Sequence, residues 1–131
     1  MSFGAFQSLF GGQPAGGAQV QTISGPSAVQ FFGDADTVYV DVRGEAEIRM
    51  SGGTIKGAII APLPELARHA RPDGSGTLPG IEDGKRIIMV CASGARSGAA
   101  SQQLVAMGYD NVANLRGGIG AWFQAGGEVE R

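Results

Sequence analysis

The single cysteine of the chain follows a run of apolar residues and precedes a short loop of small ones. Residues 87–90 are all apolar, which is typical of a strand buried on both faces of a parallel sheet. Cys91 comes next, and Arg96 follows five positions later, where a helical pattern begins. The residues between them are Ala92, Ser93, Gly94 and Ala95. Because ligand crevices of open α/β sheets lie at the carboxyl ends of strands, the spacing places a thiol in such a crevice.

This arrangement is suited to a reactive thiolate. The first N–H groups of the predicted helix point back toward Cys91, and they favour an anion together with the helix dipole and Arg96. A buried structural cysteine is the alternative, since free cysteine is often buried at strand ends. The glycine-containing loop and the arginine together favour the reactive interpretation. The sequence therefore predicts that Cys91 is a nucleophile.

Residues 91–97 resemble the active-site loop of the rhodanese family, which runs Cys-x-x-Gly-x-Arg-Ser. Two flanking stretches resemble other signatures of that family: residues 40–48, followed by 53–58, and residues 115–122. The likeness extends from about residue 20 to residue 126, which is essentially one domain.

The resemblance implies a fold and a reaction. The fold is an α/β rhodanese-like domain over residues 19–131, with a central, mostly parallel sheet and helices on both faces. In the reaction, the Cys91 thiolate takes the outer sulfur of thiosulfate or a similar donor, and the persulfide passes it to a thiol or to cyanide. The backbone amides of residues 92–96 are expected to cradle the sulfur. No metal or organic cofactor is implied, and a protein acceptor of the sulfur is open.

Four polar residues are expected to assist Cys91. Arg96 suits the two negative charges of thiosulfate, because a guanidinium offers paired donors to oxyanions; a structural pairing with a carboxylate is its alternative role. By resemblance, Asp41 and Arg43 lie near the loop and fix it through charge-assisted hydrogen bonds. Ser97 closes the motif as a supporting residue. Gly117 is expected, with the following glycine, to let backbone approach the loop closely.

The chain departs from the family pattern at the position of a histidine. The usual Gly-His-Ile is replaced by a triplet with Thr54 at its centre, so a positioning role of that imidazole is lost or replaced. The sole histidine, His69, lies between two arginines and is expected to be solvated. Because no Cys–His pair can be argued, the activation of Cys91 is expected to be electrostatic.

Composition limits the function classes. The chain has 131 residues, a net charge of −2 and 17% charged residues, so it carries no electrostatic footprint for nucleic acid or for an acidic membrane surface. One cysteine excludes an internal disulfide and favours a reducing, cytoplasmic setting. Residues 1–18 are rich in Gly, Gln and Ala and are expected to be flexible or loosely packed.

Strands and helices are expected to alternate from residue 20 onward. The predicted strands are residues 20–23, 37–42, 58–60, 87–90 and 112–115. One predicted helix follows Ser24, and the others cover residues 45–50, 63–70, 97–107 and 119–123. Residues 71–85 are predicted to form a surface connection.

Two other functions compete with a sulfurtransferase. Phosphatases and arsenate reductases on the same scaffold use Cys-x5-Arg, whereas four residues separate Cys91 from Arg96 here, which makes a smaller cradle. An arsenate reductase that forms a protein disulfide would also need a second cysteine. The other alternative is a module that carries a persulfide for a partner enzyme. Rhodanese-like modules without catalysis commonly lack the cysteine, which is present here.

Overall fold

The centre of the protein is a sheet of five parallel strands. The computed structural model describes residues 19–131, and the expectation for residues 1–18 lies outside them. The strands of the main sheet are β1 (Gln21–Ile23), β2 (Thr37–Asp41), β4 (Ile59–Ile60), β5 (Arg86–Val90) and β6 (Val112–Leu115). Their spatial order is β1-β6-β5-β2-β4, so β5 is central and β1 is an edge strand. The α/β prediction with a parallel sheet is confirmed.

Five helices connect the strands. They are α1 (Gly25–Gln30), α2 (Glu45–Met50), α3 (Leu66–His69), α4 (Ala95–Met107) and α5 (Gly118–Gln124). The helix predicted over residues 63–70 is shorter than expected, because it opens with a separate 3-10 turn at Leu63–Glu65. Pro64 has no N–H and lies inside that turn, which is closed by a 2.7 Å hydrogen bond from Glu65 N to Pro62 O.

The central strand has apolar side chains on both faces of the sheet. Ile87 and Met89 belong to one buried cluster, and Ile88 and Val90 belong to the other. This alternation follows from the two-residue period of a strand, and it explains the uninterrupted apolar run in the sequence. The first cluster contains residues of α3 and α4, and the second contains residues of α1 and α5, so helices cover both faces as predicted.

A second, smaller sheet was not predicted. It consists of β3 (Thr54–Ile55) and β7 (Val129–Glu130), which pair antiparallel. Strands of two residues carry no recognisable alternation, so their pairing depends on the tertiary fold. This sheet holds the segment after α2 beside the main sheet, where Thr54 reaches the end of β2.

The cysteine loop connects β5 to α4. Residues 91–94 form it, and Gly94 at its end is in the left-handed region with φ 107°. At that angle a side chain is strained, so glycine suits the reversal that turns the chain into the helix. At the other end of α4, Gly108 has φ 114° and terminates the helix as predicted.

Candidate active site

Cys91 lies at the carboxyl end of the central strand, and its side chain is buried. Its exposed fraction is 0%. The backbone N–H of Gly94 donates a hydrogen bond to Sγ at 3.0 Å. The Ser97 hydroxyl, on the first turn of α4, lies 3.3 Å from Sγ. The thiol therefore sits inside the loop with donors directed at it.

The hydrogen bonds to Sγ outweigh the effect of burial on its pKa. Burial raises the pKa of Cys91, and this is the largest single contribution. The contact with the Ser97 hydroxyl and the hydrogen bonds from the backbone N–H groups of Ser97, Gly94 and Ser93 act in the opposite direction. Together they bring the pKa of Cys91 below the ordinary value of a thiol. The direction agrees with the electrostatic activation expected from the sequence.

The donors around the sulfur include two residues of the predicted cradle and, just beyond it, Ser97. The expected cradle comprised the amides of residues 92–96, with Ser97 in a supporting role. In the structure the N–H groups of Ser93, Gly94 and Ser97 act on Sγ, and the Ser97 hydroxyl contacts it. The left-handed backbone at Gly94 causes the difference, because it aims the first turn of α4 back at the sulfur.

Asn114 of β6 holds both Gly94 and Ser97 and was missed in the sequence. Its Nδ2 donates to the carbonyl oxygen of Gly94 at 3.0 Å, and its Oδ1 accepts from the Ser97 hydroxyl at 2.6 Å. The carbonyl can only accept, so this contact sets the orientation of the amide. Asn114 thus binds Gly94, whose N–H donates to Sγ, and Ser97, whose hydroxyl contacts Sγ. We infer that it is a positioning residue of the loop.

Asn114→Asp is expected to raise the pKa of Cys91 by about one unit, because a like charge beside a thiolate disfavours it. The change keeps the size of the side chain but removes the donor to Gly94 O. The pKa is read from the pH dependence of iodoacetamide alkylation, whose midpoint in the native protein should lie below the free-thiol value of about 8.5.

The matched control for that variant is Asn111→Asp, which makes the same charge change just before β6 begins. Asn111 lies beside the start of β5, where its backbone oxygen accepts from Ile87 N, and Cys91 lies beyond the other end of that strand. We expect no shift in this control. Equal shifts in the two variants would mean that the contacts of Asn114 do not matter.

The turn between β6 and α5 supports the loop from behind. Gly118, with φ 67°, lies so close that an added Cβ would collide with the carbonyl oxygens of Cys91 and Ala92. The next residue, Ile119, donates its N–H to the Cys91 carbonyl at 2.9 Å. Gly117 also has a positive φ, of 81°. The expected close approach of this glycine pair to the loop is found at Gly118.

Arg96 forms a two-point ion pair with Glu47 of α2. Nη1 donates to Oε1 at 2.8 Å and Nη2 donates to Oε2 at 2.7 Å. These hydrogen bonds raise the pKa of Arg96 and lower that of Glu47. The negative charges of Cys91 and Asp41 also raise the pKa of Arg96, so the guanidinium lies within electrostatic reach of the sulfur. The structure thus shows the carboxylate pairing that was the alternative role of Arg96.

Asp41 and Arg43 fix a different segment from the one expected. Both are buried, and they pair at 2.7 Å between Asp41 Oδ2 and Arg43 Nη2. Their remaining side-chain hydrogen bonds go to Ser51, the Gly53 carbonyl and the Thr54 hydroxyl. The expected hydrogen bonds to the cysteine loop are therefore replaced by bonds to residues 51–54. The short arginine-to-aspartate spacing causes this, because the guanidinium folds back onto the end of its own strand.

Thr54 stands where the family pattern has a histidine. Its hydroxyl donates to Asp41 Oδ2 at 2.7 Å, so it takes a positioning role next to the buried ion pair. His69 makes a different contact, in which its Nδ1 lies 2.7 Å from the exposed Thr77 hydroxyl. The departure from the pattern therefore has a structural substitute.

Within residues 19–131, no three or more His, Cys, Asp or Glu side chains group in a way that could hold a metal ion. Among the described helices, none combines the length and the apolar character needed to cross a bilayer.

An open depression lined by Pro72, Asp73 and residues 80–83 lies near the start of β5, at the end of the sheet opposite Cys91.

Comparisons with known proteins give the family. The model of the rhodanese-like domain matches residues 27–125. A sulfurtransferase of Allochromatium vinosum is 37% identical over 108 residues, which cover 82% of this chain and 92% of that protein. A tRNA uridine(34) hydroxylase of Rickettsia akari is 33% identical over 69% of this chain, but the chain spans only 35% of its length.

A solved structure of a rhodanese-related protein from Thermoplasma volcanium superposes with a TM-score of 0.65 and is 26% identical, with 84% of this chain and 97% of that chain covered. A protein of unknown function from Rhodopseudomonas palustris, described as a possible tyrosine phosphatase, superposes with a TM-score of 0.72. It is 30% identical, and 85% of each chain is covered. The family match spans most of the sequence, and it includes the cysteine loop, Asn114 and the glycine turn behind the loop. The chain therefore belongs to the rhodanese-like domain family.

Proposed function

We propose that this protein is a sulfurtransferase that moves a sulfane sulfur from thiosulfate, or a similar donor, to a thiophilic acceptor through a persulfide on Cys91. The observation that carries the proposal is the set of backbone donors on Sγ: the Gly94 N–H at 3.0 Å, with the N–H groups of Ser93 and Ser97 acting on the same sulfur. They stabilise a thiolate without a neighbouring base. The sulfurtransferase relative covers almost the whole domain and supports the same chemistry.

The reaction balances in two steps. The Cys91 thiolate attacks the outer sulfur of thiosulfate, a new S–S bond forms, and sulfite leaves with the electrons of the broken bond. An acceptor then attacks the terminal sulfur of the persulfide. Cyanide gives thiocyanate, a thiol gives a new persulfide, and the electrons of the broken S–S bond return to Cys91. The donors that hold the thiolate also stabilise it as the leaving group of the second step.

The depth of the sulfur supports sulfur transfer over phosphate chemistry. Cys91 is fully buried, so a donor has to reach it with one protruding atom, as a terminal sulfur can. A phosphate monoester has to place several oxygens among the loop amides, and the four residues between Cys91 and Arg96 form a small ring.

We do not propose RNA as the acceptor of the sulfur. The tRNA uridine(34) hydroxylases share this domain, but the chain covers only about a third of their length. A net charge of −2 offers little attraction to a phosphate backbone. The physiological acceptor we propose is a small thiol or the cysteine of a partner protein. A reducing, cytoplasmic setting fits a lone cysteine that has to stay reduced.

Incubation of the protein with thiosulfate tests this function. We expect one sulfur atom to be added to the peptide that contains Cys91, as seen by mass spectrometry, with one sulfite released per protein. Addition of cyanide should then give thiocyanate and restore the free thiol. A persulfide that forms but resists small acceptors would favour a carrier for a partner enzyme.

Competition by phosphate against iodoacetamide labelling of Cys91 tests the phosphatase-like alternative. We expect millimolar phosphate to leave the labelling of Cys91 unchanged. Strong protection by phosphate, without persulfide formation from thiosulfate, would favour the phosphatase-like alternative and contradict the proposal.

A further inference from the structure

Arg96 faces a carboxylate of its own chain at the rim of the cysteine loop. The contact with Glu47 joins both terminal nitrogens to both carboxylate oxygens, which is the geometry that arginine also uses to bind an anionic ligand. The two side chains are 43% and 39% exposed, so the pair is accessible to solvent and to a donor. A small anion that approached Arg96 would therefore meet Glu47 at the same place.

The charge of the pair matters because the nucleophile is itself an anion. The reacting form of Cys91 is the thiolate, which repels a dianionic donor such as thiosulfate. Arg96 lies on the first turn of α4 next to Ser97, whose hydroxyl is 3.3 Å from Sγ, so its positive charge offsets part of that repulsion. The adjacent negative charge of Glu47 cancels much of the attraction that Arg96 exerts on an anionic donor.

We propose that Glu47 is a specificity-determining residue, which lowers the reactivity of the Cys91 loop toward anionic sulfur donors relative to neutral organic ones. The role of Glu47 in sulfur transfer rests on the proposed function. The effect of Glu47 on charged alkylating reagents at Cys91 is independent of that function, because alkylation of the thiol needs no sulfur donor.

An orienting role for Glu47 makes the opposite prediction. An arginine has five N–H groups, and Glu47 engages two of them, so an anion has donors left to bind. If Glu47 mainly held the guanidinium in place for the anion, its removal would weaken reaction with anions. If it mainly neutralises the guanidinium, its removal strengthens that reaction. The sign of the effect separates the two roles.

The experiment compares two alkylating reagents that differ in charge. Iodoacetate is anionic and iodoacetamide is neutral, and they are similar in size. At low ionic strength, Glu47→Gln is expected to raise the ratio of their rate constants at Cys91 by about two- to fivefold, the range of a partly exposed ion pair. The ratio cancels any change in thiolate fraction, and added salt should shrink the effect.

Three further variants complete the test. Glu65→Gln removes the same charge from an exposed pair with Arg68 on another helix, and it should leave the ratio unchanged. Glu47→Asp keeps the charge and should retain most of the native ratio. Arg96→Gln leaves Glu47 without its partner and should lower the ratio, so the proposal stays testable if Glu47→Gln does not fold.

The outcomes separate this inference from the proposed function. In thiosulfate turnover, Glu47→Gln is expected to lower KM about two- to fivefold with little change in kcat. A ratio that stays constant or falls in Glu47→Gln would overturn the inference, whatever the protein does with thiosulfate. A ratio that rises in a protein that transfers no sulfur would uphold the charge selection and reject the sulfurtransferase.

Discussion

Cys91→Ser is expected to reduce thiosulfate-dependent thiocyanate formation to background, a loss of at least about a thousandfold, as is common when a covalent nucleophile is removed. The Gly94 and Ser97 donors lower the pKa of a thiol, but an alcohol ionises so weakly that the same donors cannot make it an alkoxide near neutral pH. Oxygen is also a poor carrier of sulfane sulfur, because the second step needs a persulfide.

The measurement is thiocyanate formed per protein, beside an unfolding curve for each variant. Serine is close to cysteine in size, so we expect the unfolding midpoint to change little at this buried position. Turnover above a tenth of the native rate in a folded serine variant would show that the sulfur does not pass through Cys91.

Arg43→Met is expected to lower the free energy of unfolding by about 3–5 kcal/mol, the usual cost of removing one partner from a buried ion pair. Asp41 is fully buried, and in the native protein it accepts from Arg43 through both carboxylate oxygens. In the variant the carboxylate retains the Thr54 hydroxyl and the backbone N–H of residue 43. The turn at Ser51 and Gly53 also loses its donors.

Urea unfolding measures this loss, and Arg68→Met is the matched control. Arg68 pairs with Glu65 on the surface, with 75% of its side chain exposed, so its removal should cost no more than about 1 kcal/mol. Adding Asp41→Asn to Arg43→Met should recover part of the stability, because the unpaired charge is then gone. Equal losses in the two single variants would mean that burial of the pair contributes nothing.

Local pattern was sufficient to predict the main sheet and to place Cys91 at the end of a strand buried on both faces. The apolar run before Cys91 indicates cover on both faces, in agreement with the central position of β5. The helix α4 ends at the expected residue, before the left-handed Gly108, but it begins two residues earlier than expected, after the left-handed Gly94. These features depend on neighbours in sequence, so the sequence carries them directly.

The partners of the site residues could not be predicted in the same way. Asn114 lies 17 positions after Ser97, and Glu47 lies 49 positions before Arg96, so each contact depends on how strands and helices pack. A polar residue inside a short strand, or a glutamate on a short helix, has the same local pattern whether it binds solvent or a site. For the same reason, the sequence did not show that Asp41 and Arg43 bind residues 51–54 and not the cysteine loop.

The order of the strands also determines when the cysteine becomes reactive during synthesis. β5 pairs on one side with β2, made earlier, and on the other with β6, made later. A nascent chain that ends at residue 107 contains Cys91, its whole loop and α4, but lacks Asn114 and the Gly118 turn that hold the loop in place. Until β6 docks, the loop lacks these supports, and we expect the pKa of Cys91 to lie nearer that of an ordinary thiol, which oxidants attack more slowly than a thiolate. The fold is thus expected to delay the activation of Cys91 until the domain around it is almost complete.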